Sequence, residues 1–409
     1  MTIHSHIAAA VTFTLIVIPA SARAQSSVVD PLTLEAAFER ALAQNPSIVA
    51  ARLRRAIDVA NLAVARQRRN PEARVELERE TPRQAFSIAM PIEAGAKRAR
   101  RIAVADAAIQ LGEAEVARTV IEVRASVRRA YFDRLVAEER LVLLNEMRAI
   151  ATRARDAAQQ RFDVGSAPRL EVLQAQLAVD AADNEATAAR GAVLASRATL
   201  NALLGLPLDA APLQATTVAA LVPPSLDAAL ARALPANAEL AVLQRHIDEA
   251  TARLSLARAL RVPDVVAEAS ITHGAEPEFD TGWRVAVGVE LPLFTRYSAA
   301  VLVEQATVTQ LKAEREAAAM RVRGEIAALA TMATSQREQY MRYHDQIVPR
   351  AAEVERMAED SYKLGQTGIA ALLQALQVTR DVRLRALQSA LDLETALSDL
   401  ERTVGSPLP

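Results

Sequence analysis

The chain is written twice. Thr33-Leu34-Glu35-Ala36-Ala37 returns 192 residues later as Ser225-Leu226-Asp227-Ala228-Ala229, and Asn45 and Pro71 return at the same offset as Asn237 and Pro263. Met90-Pro91 returns as Leu291-Pro292 at an offset of 201. Phe162-Asp163-Val164-Gly165 returns as Tyr362-Lys363-Leu364-Gly365, and Leu204-Gly205 as Val404-Gly405, both at 200. Each copy reads as helix, strand-like region, very long helix, glycine turn and second long helix. A repeat of this size is a duplicated supersecondary unit, not a short solenoid motif. The chain must therefore fold as two similar arms. The expected division is an export segment at 1–24, a first repeat at 25–208, a linker at 209–224 and a second repeat at 225–409.

The export segment rests on the apolar run from Ile7 to Ile18 and the small-x-small pattern Ala22-Arg23-Ala24 before Gln25. The run falls short of the roughly 20 apolar residues of a spanning helix. There is no cysteine, so neither disulfides nor a lipid-bearing Cys are expected. Only 3% of residues are aromatic, and alanine, leucine, arginine and glutamate dominate, the profile of long helices and coiled coil. A net charge of −1 provides no field to recruit nucleic acid.

In the first repeat, helices are predicted at Leu34–Gln44 and Ser47–Arg69, divided by Asn45-Pro46. From Lys97 to Arg161 there is no proline and a single glycine, which at ~1.5 Å per residue makes a rod on the order of 100 Å long. Phe132, Val136, Leu143, Met147 and Ile150 mark a seam with coiled-coil spacing, continued by Ala154 and Ala157. The long helical hairpins span about 97–203 and 296–404, and Pro349, unmatched in the first repeat, is expected to bend its helix.

The strand-like regions, about 72–92 and 264–292, alternate with a period of two. Val75 and Leu77, Phe86 and Ile88, Val265 and Ile271, and Trp283, Val285, Val287 and Val289 supply apolar rows separated by polar or small residues. Such alternation suits an outer-membrane strand with one row toward lipid. It also suits two half-buried hairpins packed on helices. Two hairpins provide only four strands, so a spanning barrel requires several copies of the chain. The rods are too long for a bilayer core of about 30 Å and must project into water.

With these features the chain resembles the TolC family of outer-membrane efflux channels over nearly its whole length, from Leu32 to Leu408. The resemblance lies in the duplicated plan, the turns Arg161-Phe162-Asp163-Val164-Gly165 and Tyr362-Lys363-Leu364-Gly365, and Leu203-Leu204-Gly205. Met90-Pro91-Ile92-Glu93-Ala94-Gly95-Ala96-Lys97-Arg98 and Pro292-Leu293-Phe294 resemble the heavy-metal, CzcC-like branch, with Ala96 where a second glycine is usual. The fold class implied is mainly α with a small β part. Three copies, each giving four strands, would close a 12-stranded β-barrel continued by an α-helical periplasmic tunnel. The resemblance further implies a homotrimer in outer-membrane lipid, loaded by an inner-membrane pump of the RND type and a periplasmic membrane-fusion adaptor. The cargo implied is heavy-metal cations or drugs. The runner-up is a periplasmic coiled-coil adaptor or scaffold without a pore.

No chemistry is legible beyond conduction. His246, His273 and His344 are scattered, and no nucleophile triad or phosphate-binding glycine loop occurs, so neither an enzyme nor a resident cofactor or metal is expected. Lys97, Arg98, Arg100 and Arg101 form the densest basic run. By default such a run is a solvated helix face; just after a lipid-facing strand it would meet phosphates at the periplasmic membrane surface. Gly165 and Gly365 are expected at positive φ. The resemblance puts Phe162, Asp163, Gly165, Tyr362, Lys363 and Gly365 at periplasmic tips docking the adaptor. Asp163 and Glu171 are then the candidates for an acidic ring at the aperture, against the alternative that both lie outside it, solvated or paired with Arg161 and Arg169.

Overall fold

The computed structural model describes residues 31–207, 213, 222–291 and 293–408. The export segment, most of the linker and Pro292 lie outside the described residues. In chain order the elements are α1 (Leu34–Gln44), α2 (Pro46–Arg66), β1 (Glu72–Leu77), β2 (Gln84–Ile92), α3 (Lys97–Asp163) and α4 (Arg169–Leu204). The second repeat follows with α5 (Leu226–Ala236), α6 (Ala238–Ala259), β3 (Val265–Ala275), β4 (Phe279–Val289), α7 (Ser298–Arg342), α8 (Val348–Lys363) and α9 (Ile369–Val404). The helix expected to reach Arg69 ends at Arg66, because Arg98 and Arg101 take the carbonyls of Ala65, Arg66 and Gln67 that another turn would have used.

The sequence marks that repeat are structural joints. Asn45 caps α2 through its side-chain oxygen and donates its amide N–H to the Leu203 carbonyl at 2.8 Å. Asn237 caps α6 and donates to Thr403 at 2.7 Å. Each asparagine thus starts one helix and ties it to the end of another, which an ionised Asp, with no hydrogen to donate, cannot do. Beside these joints two matching clusters bury the apolar faces. Ala37, Phe38 and Ala41 meet Val123, Val127, Leu200 and Leu204; Ala229 and Ala233 meet Val322, Ile326, Leu400 and Val404.

Further down, Leu143, Met147, Ile150, Ala154 and Ala158 of α3 face Ile369, Leu372 and Leu376 of α9, so the seam joins the two arms to each other. The small side chains of Ala154 and Ala158 let the helices approach closely there. α3 runs without interruption, whereas its counterpart is broken by a π turn at Tyr343–Ile347 between α7 and α8. Pro349 is the cause: its ring crowds the Asp345 carbonyl and it has no N–H to donate there. Val322 and Ile326 stand 199 residues after Val123 and Val127, and the tips stand 200 apart, so the π turn carries one added residue.

The arms are also joined by buried charge. Arg128 on α3 donates to Glu394 at 2.8 Å and to Glu401 at 2.8 Å on α9, and Arg124 reaches Glu401 at 2.8 Å. Burial pushes the Glu394 carboxyl above its ordinary range, with Arg128 opposing. Ala96, which caps α3, sits at φ +57, a left-handed conformation costly for a residue with a Cβ.

Arg128→Met is expected to leave the buried Glu394 carboxylate uncompensated, Glu401 keeping Arg124, and to cost about 3–5 kcal/mol at neutral pH, read from chemical or thermal unfolding. A carboxyl with a raised native pKa holds its proton more tightly when folded. The stabilisation is therefore greatest below the unfolded pKa and fades as pH rises through the native one. The deficit of the variant should shrink as the pH is lowered from 7.5 toward about 5; a pH-independent deficit would show that the Glu394 carboxylate is not its source. Ala96→Gly should stabilise. Relief of ~1–2 kcal/mol of backbone strain outweighs the ~0.5–1 kcal/mol entropic cost of glycine, so a lower melting temperature would contradict the strain.

Candidate functional site

Three regions carry the features that could conduct, anchor or dock: the sheet, its junction with the helices, and the two tips. The strands form one antiparallel sheet in the order β1-β2-β3-β4. Cross-strand partners share a face, so the register sorts every side chain. Val75, Phe86, Ile271 and Trp283 form one row; Ala73, Ile88, Ala269 and Val285 the next; Met90, Ala267 and Val287 a third; Ile92, Val265 and Val289 a fourth. Leu77 lies on this same face in the row of Gln84, His273 and Thr281. Trp283, Val285 and Val287 are among its most exposed members. The other face is built from Arg74, Ser87, Ser270 and Arg284, flanked by rows containing Glu72 and Glu268, and Glu76 and Thr272. Every Asp, Glu and Arg within the four strands (Glu72, Arg74, Glu76, Glu268, Asp280, Arg284) lies on this second face, while His273 lies on the first. Among the described residues, the outer edges of β1 and β4 have no strand partner.

At the junction the basic run is placed differently from the membrane-surface expectation. Lys97 is buried, its Nζ 2.7 Å from Asp264 Oδ1, which also accepts the Ala94 amide at 3.0 Å. Arg101 grips both oxygens of Glu93, at 2.6 and 3.2 Å. Arg69 lies 3.9 Å from Glu93 and 3.8 Å from Asp264. Lys97, Arg98 and Arg101 are therefore spent on fastening β2 and α3 to α2 and to the start of β3. Of the four, Arg100 remains exposed. Glu93 and Asp264 are the acidic halves of this latch, a role that the sequence alone does not assign to either. Their signal was position, one carboxylate directly after an alternating run and one directly before another.

The tips share one backbone design. Gly165 at φ +76 and Gly365 at φ +73 end α3 and α8 in the left-handed region. The Gly165 amide donates to Phe162 and the Ser166 amide to Arg161, and the Gly365 and Gln366 amides repeat this with Tyr362 and Ser361, so orphan carbonyls at both helix ends are satisfied. Side chains differ. Phe162 is 39% exposed and Tyr362 only 1%. Tyr362 does not lie on an exposed docking surface: it is wedged in the seam with Ala158, Ile369 and Leu372, and the Arg161 guanidinium covers its ring at 5.0 Å. Its hydroxyl donates to Glu171 Oε2 at 3.4 Å, and burial, with the Glu171 charge, holds its pKa above the ordinary value. Glu171 thus turns into the seam between arms, away from the role of a free aperture carboxylate. Asp163 stays exposed and accepts Gln159 Nε2 at 2.7 Å, and Lys363 is exposed beside Glu359 at 3.4 Å.

Among the described residues no grouping of three or more His, Asp or Glu could hold a metal ion, and no helix is long and apolar enough to cross a membrane. His273 lies beside Thr281 and Asp280, and His344 beside Asp345, each far from the tips in sequence.

Comparison with known proteins agrees with this geometry. Residues 37–206 match the sequence model of the family described as Outer membrane efflux protein. The cobalt-zinc-cadmium resistance protein CzcC of Cupriavidus metallidurans is 28% identical over 280 residues, covering 65% of this chain and 64% of that protein, so the likeness spans less than two thirds of that relative. Among solved structures, CusC superposes with a TM-score of 0.76 at 14% identity over 91% of this chain and 92% of its own. The open-state MtrE outer membrane channel of Neisseria gonorrhoeae gives 0.75 at 17% identity over 92% and 89%. The first repeat thus matches the outer membrane efflux protein family in sequence, and nine-tenths of the chain takes the fold of the solved channels.

Proposed function

We propose that the protein is the outer-membrane channel of a tripartite efflux system, a passive conduit that catalyses nothing and carries heavy-metal cations from the periplasm to the exterior. The observation that carries this is the segregation of all strand charges onto one face of a sheet with two bare edges. An uncharged face rich in Val, Ile, Phe and Trp suits lipid, and the charged face suits a wet lumen. Bare edges in lipid demand closure with further strands. In this reading three copies supply them, giving a 12-stranded barrel above a helical tunnel. Metal cargo is favoured by the likeness to a cobalt-zinc-cadmium resistance protein. The lack of a tight metal site among the described residues is compatible with a conduit, which must release what it admits.

Export through a segment at 1–24 would deliver the chain to the periplasm. An adaptor, itself joined to an inner-membrane pump of the RND type, would dock on the exposed tip residues Asp163, Val164, Lys363 and Leu364. Repeated around a threefold axis, Asp163 would make the aperture ring without Glu171. The pore-free scaffold alternative gives no reason for an uncharged, exposed sheet face.

Val287→Arg is expected to block assembly in the outer membrane, because an arginine facing lipid near the midplane costs ~2–4 kcal/mol. Ala286→Arg, one residue away on the other face, should assemble and change the conductance of purified channels in planar bilayers. Equal effects of the two would refute the barrel. Gly365→Val tests the tips. No atom lies within 4 Å of a Cβ added there, so the change acts only through the strained positive φ. Channels should reach the outer membrane while zinc, cobalt and cadmium resistance is lost. Docking at the tips is wrong if this variant and Gly165→Val both keep resistance and adaptor cross-linking.

A further inference from the structure

The charged face of the sheet is sorted by level. From the junction with the helices toward the hairpin turns, the first charged row holds Glu72 and Glu268, with Ala89 and Ala286 in the other two strands. The next holds Arg74 and Arg284 at the outer strands, with Ser87 and Ser270 between them. The third holds Glu76, with Ala85, Thr272 and Gly282. No acidic side chain shares the arginine row, so nothing at its own level neutralises it. Successive rows on one face are two residues apart, about 7 Å along a strand.

Both guanidiniums are open to solvent: the side chains of Arg74 and Arg284 are 69% and 73% exposed. Each has one carboxylate nearby, Glu76 at 3.8 Å from Arg74 and Glu268 at 3.8 Å from Arg284, both beyond hydrogen-bonding distance. Exposed pairs of this kind are weak and screened, so the N–H groups stay available to ions in the surrounding water. The contrast is with Lys97 and Arg101 at the junction, which bond carboxylates at 2.7 and 2.6 Å and are used up in the latch. A guanidinium repels a metal cation and bonds an oxyanion through its fork of N–H groups. One row nearer the junction, Glu72 is exposed and can attract what the arginines repel.

We propose that these two rows form a charge filter inside the barrel. The Glu72–Glu268 row gathers cations arriving from the helical side, and the Arg74–Arg284 row is the barrier they cross next. Rings of charged side chains set ion preference in this way. The repulsion scales with the charge of the ion, so a bare divalent cation meets about twice the barrier of a monovalent one. An anion, or a metal carried by an anionic carboxylate ligand, meets attraction instead. The substrate class favoured at this level is therefore a metal accompanied by an anion. The rows stand within the ~8 Å Debye length of each other, so at physiological salt each partly offsets the other. The filter lies in the barrel and is separate from any ring at the tips. It rests on the channel reading, since only closure of the sheet turns its charged face into a lumen.

Single-channel recording of the full chain in planar bilayers tests the filter. In a potassium chloride gradient, Arg74→Gln/Arg284→Gln should raise the K⁺/Cl⁻ permeability ratio severalfold, read from the reversal potential. With zinc chloride on one side, the Zn²⁺/K⁺ ratio should rise as well. Arg74→Gln alone and Arg284→Gln alone should each give part of the same shift. Glu72→Gln/Glu268→Gln should move the K⁺/Cl⁻ ratio the opposite way, and Arg74→Lys/Arg284→Lys, which keeps the charge, should leave it near the starting value. Both shifts should shrink at about 1 M salt, where the Debye length falls to about 3 Å. Pores of ordinary conductance whose reversal potential is the same in the unaltered chain and in both double Gln variants would overturn the filter and leave the channel reading standing. A shift in the Lys variant as large as in the Gln variant would overturn it too, because shape and not charge would then be its cause. An unaltered chain that forms no pores would remove the channel reading itself.

Discussion

Two strand edges without partners constrain everything else in this molecule. In water an open edge is satisfied by solvent, but in hydrocarbon each unpaired N–H and C=O costs several kcal/mol. Among the described residues the register allows no escape, since β2 and β3 are paired on both sides and β1 and β4 on one. An uncharged face on such a sheet ties the fold to assembly. The helical arms then have to hold the β1-β2 hairpin beside the β3-β4 hairpin, although the two are separated by more than 170 residues.

That task falls to interactions between arms. The Lys97–Asp264 pair and the Ala94 amide join the end of one hairpin to the beginning of the other directly below the sheet. Arg128, Glu394 and Glu401 join α3 to α9 at mid-height, and the Tyr362–Glu171 pair does so at the tips. Between these polar fixings, alanine and leucine fill the seam. Buried charge is a poor source of net stability, but it penalises any sliding of one rod along another, because a shifted arginine leaves carboxylates alone in the interior. Long, smooth, alanine-lined helices need such markers of register.

Much of the architecture was legible because it is local and periodic. Two-residue alternation assigned Val75, Phe86, Ile271 and Trp283 to one face before any pairing was known, and the register puts them in a single row. The glycine turns and the lengths of the rods were equally plain. What escaped were contacts made across the repeat. Lys97 read as a solvated or membrane-facing cation because its partner lies 167 residues away. Tyr362 read as a tip residue because nothing nearby in sequence reveals that α3 passes over it. Similar motifs suggested similar roles for Phe162 and Tyr362, but quasi-equivalent residues in one chain have different neighbours. Arg68 and Arg69 were assigned to a helix that Arg98 and Arg101 terminate from the far side of the hairpin.

The π turn has a consequence for how such a duplicated chain tolerates change. One residue added to an α-helix rotates everything beyond it by about 100° and displaces it by ~1.5 Å. Added above the tip of the second arm, it would swing Tyr362 out of the seam and set the two tips out of phase. The five residues Tyr343–Ile347 take up the addition as one wider turn, and α8 continues with its buried face, Ala351 and Tyr362, still directed at α9 and α3. The second arm therefore behaves as a helix with a phase corrector. Length variation between the repeats is absorbed at one level of the rod, and the two ends, the sheet and the glycine turns, keep their alignment.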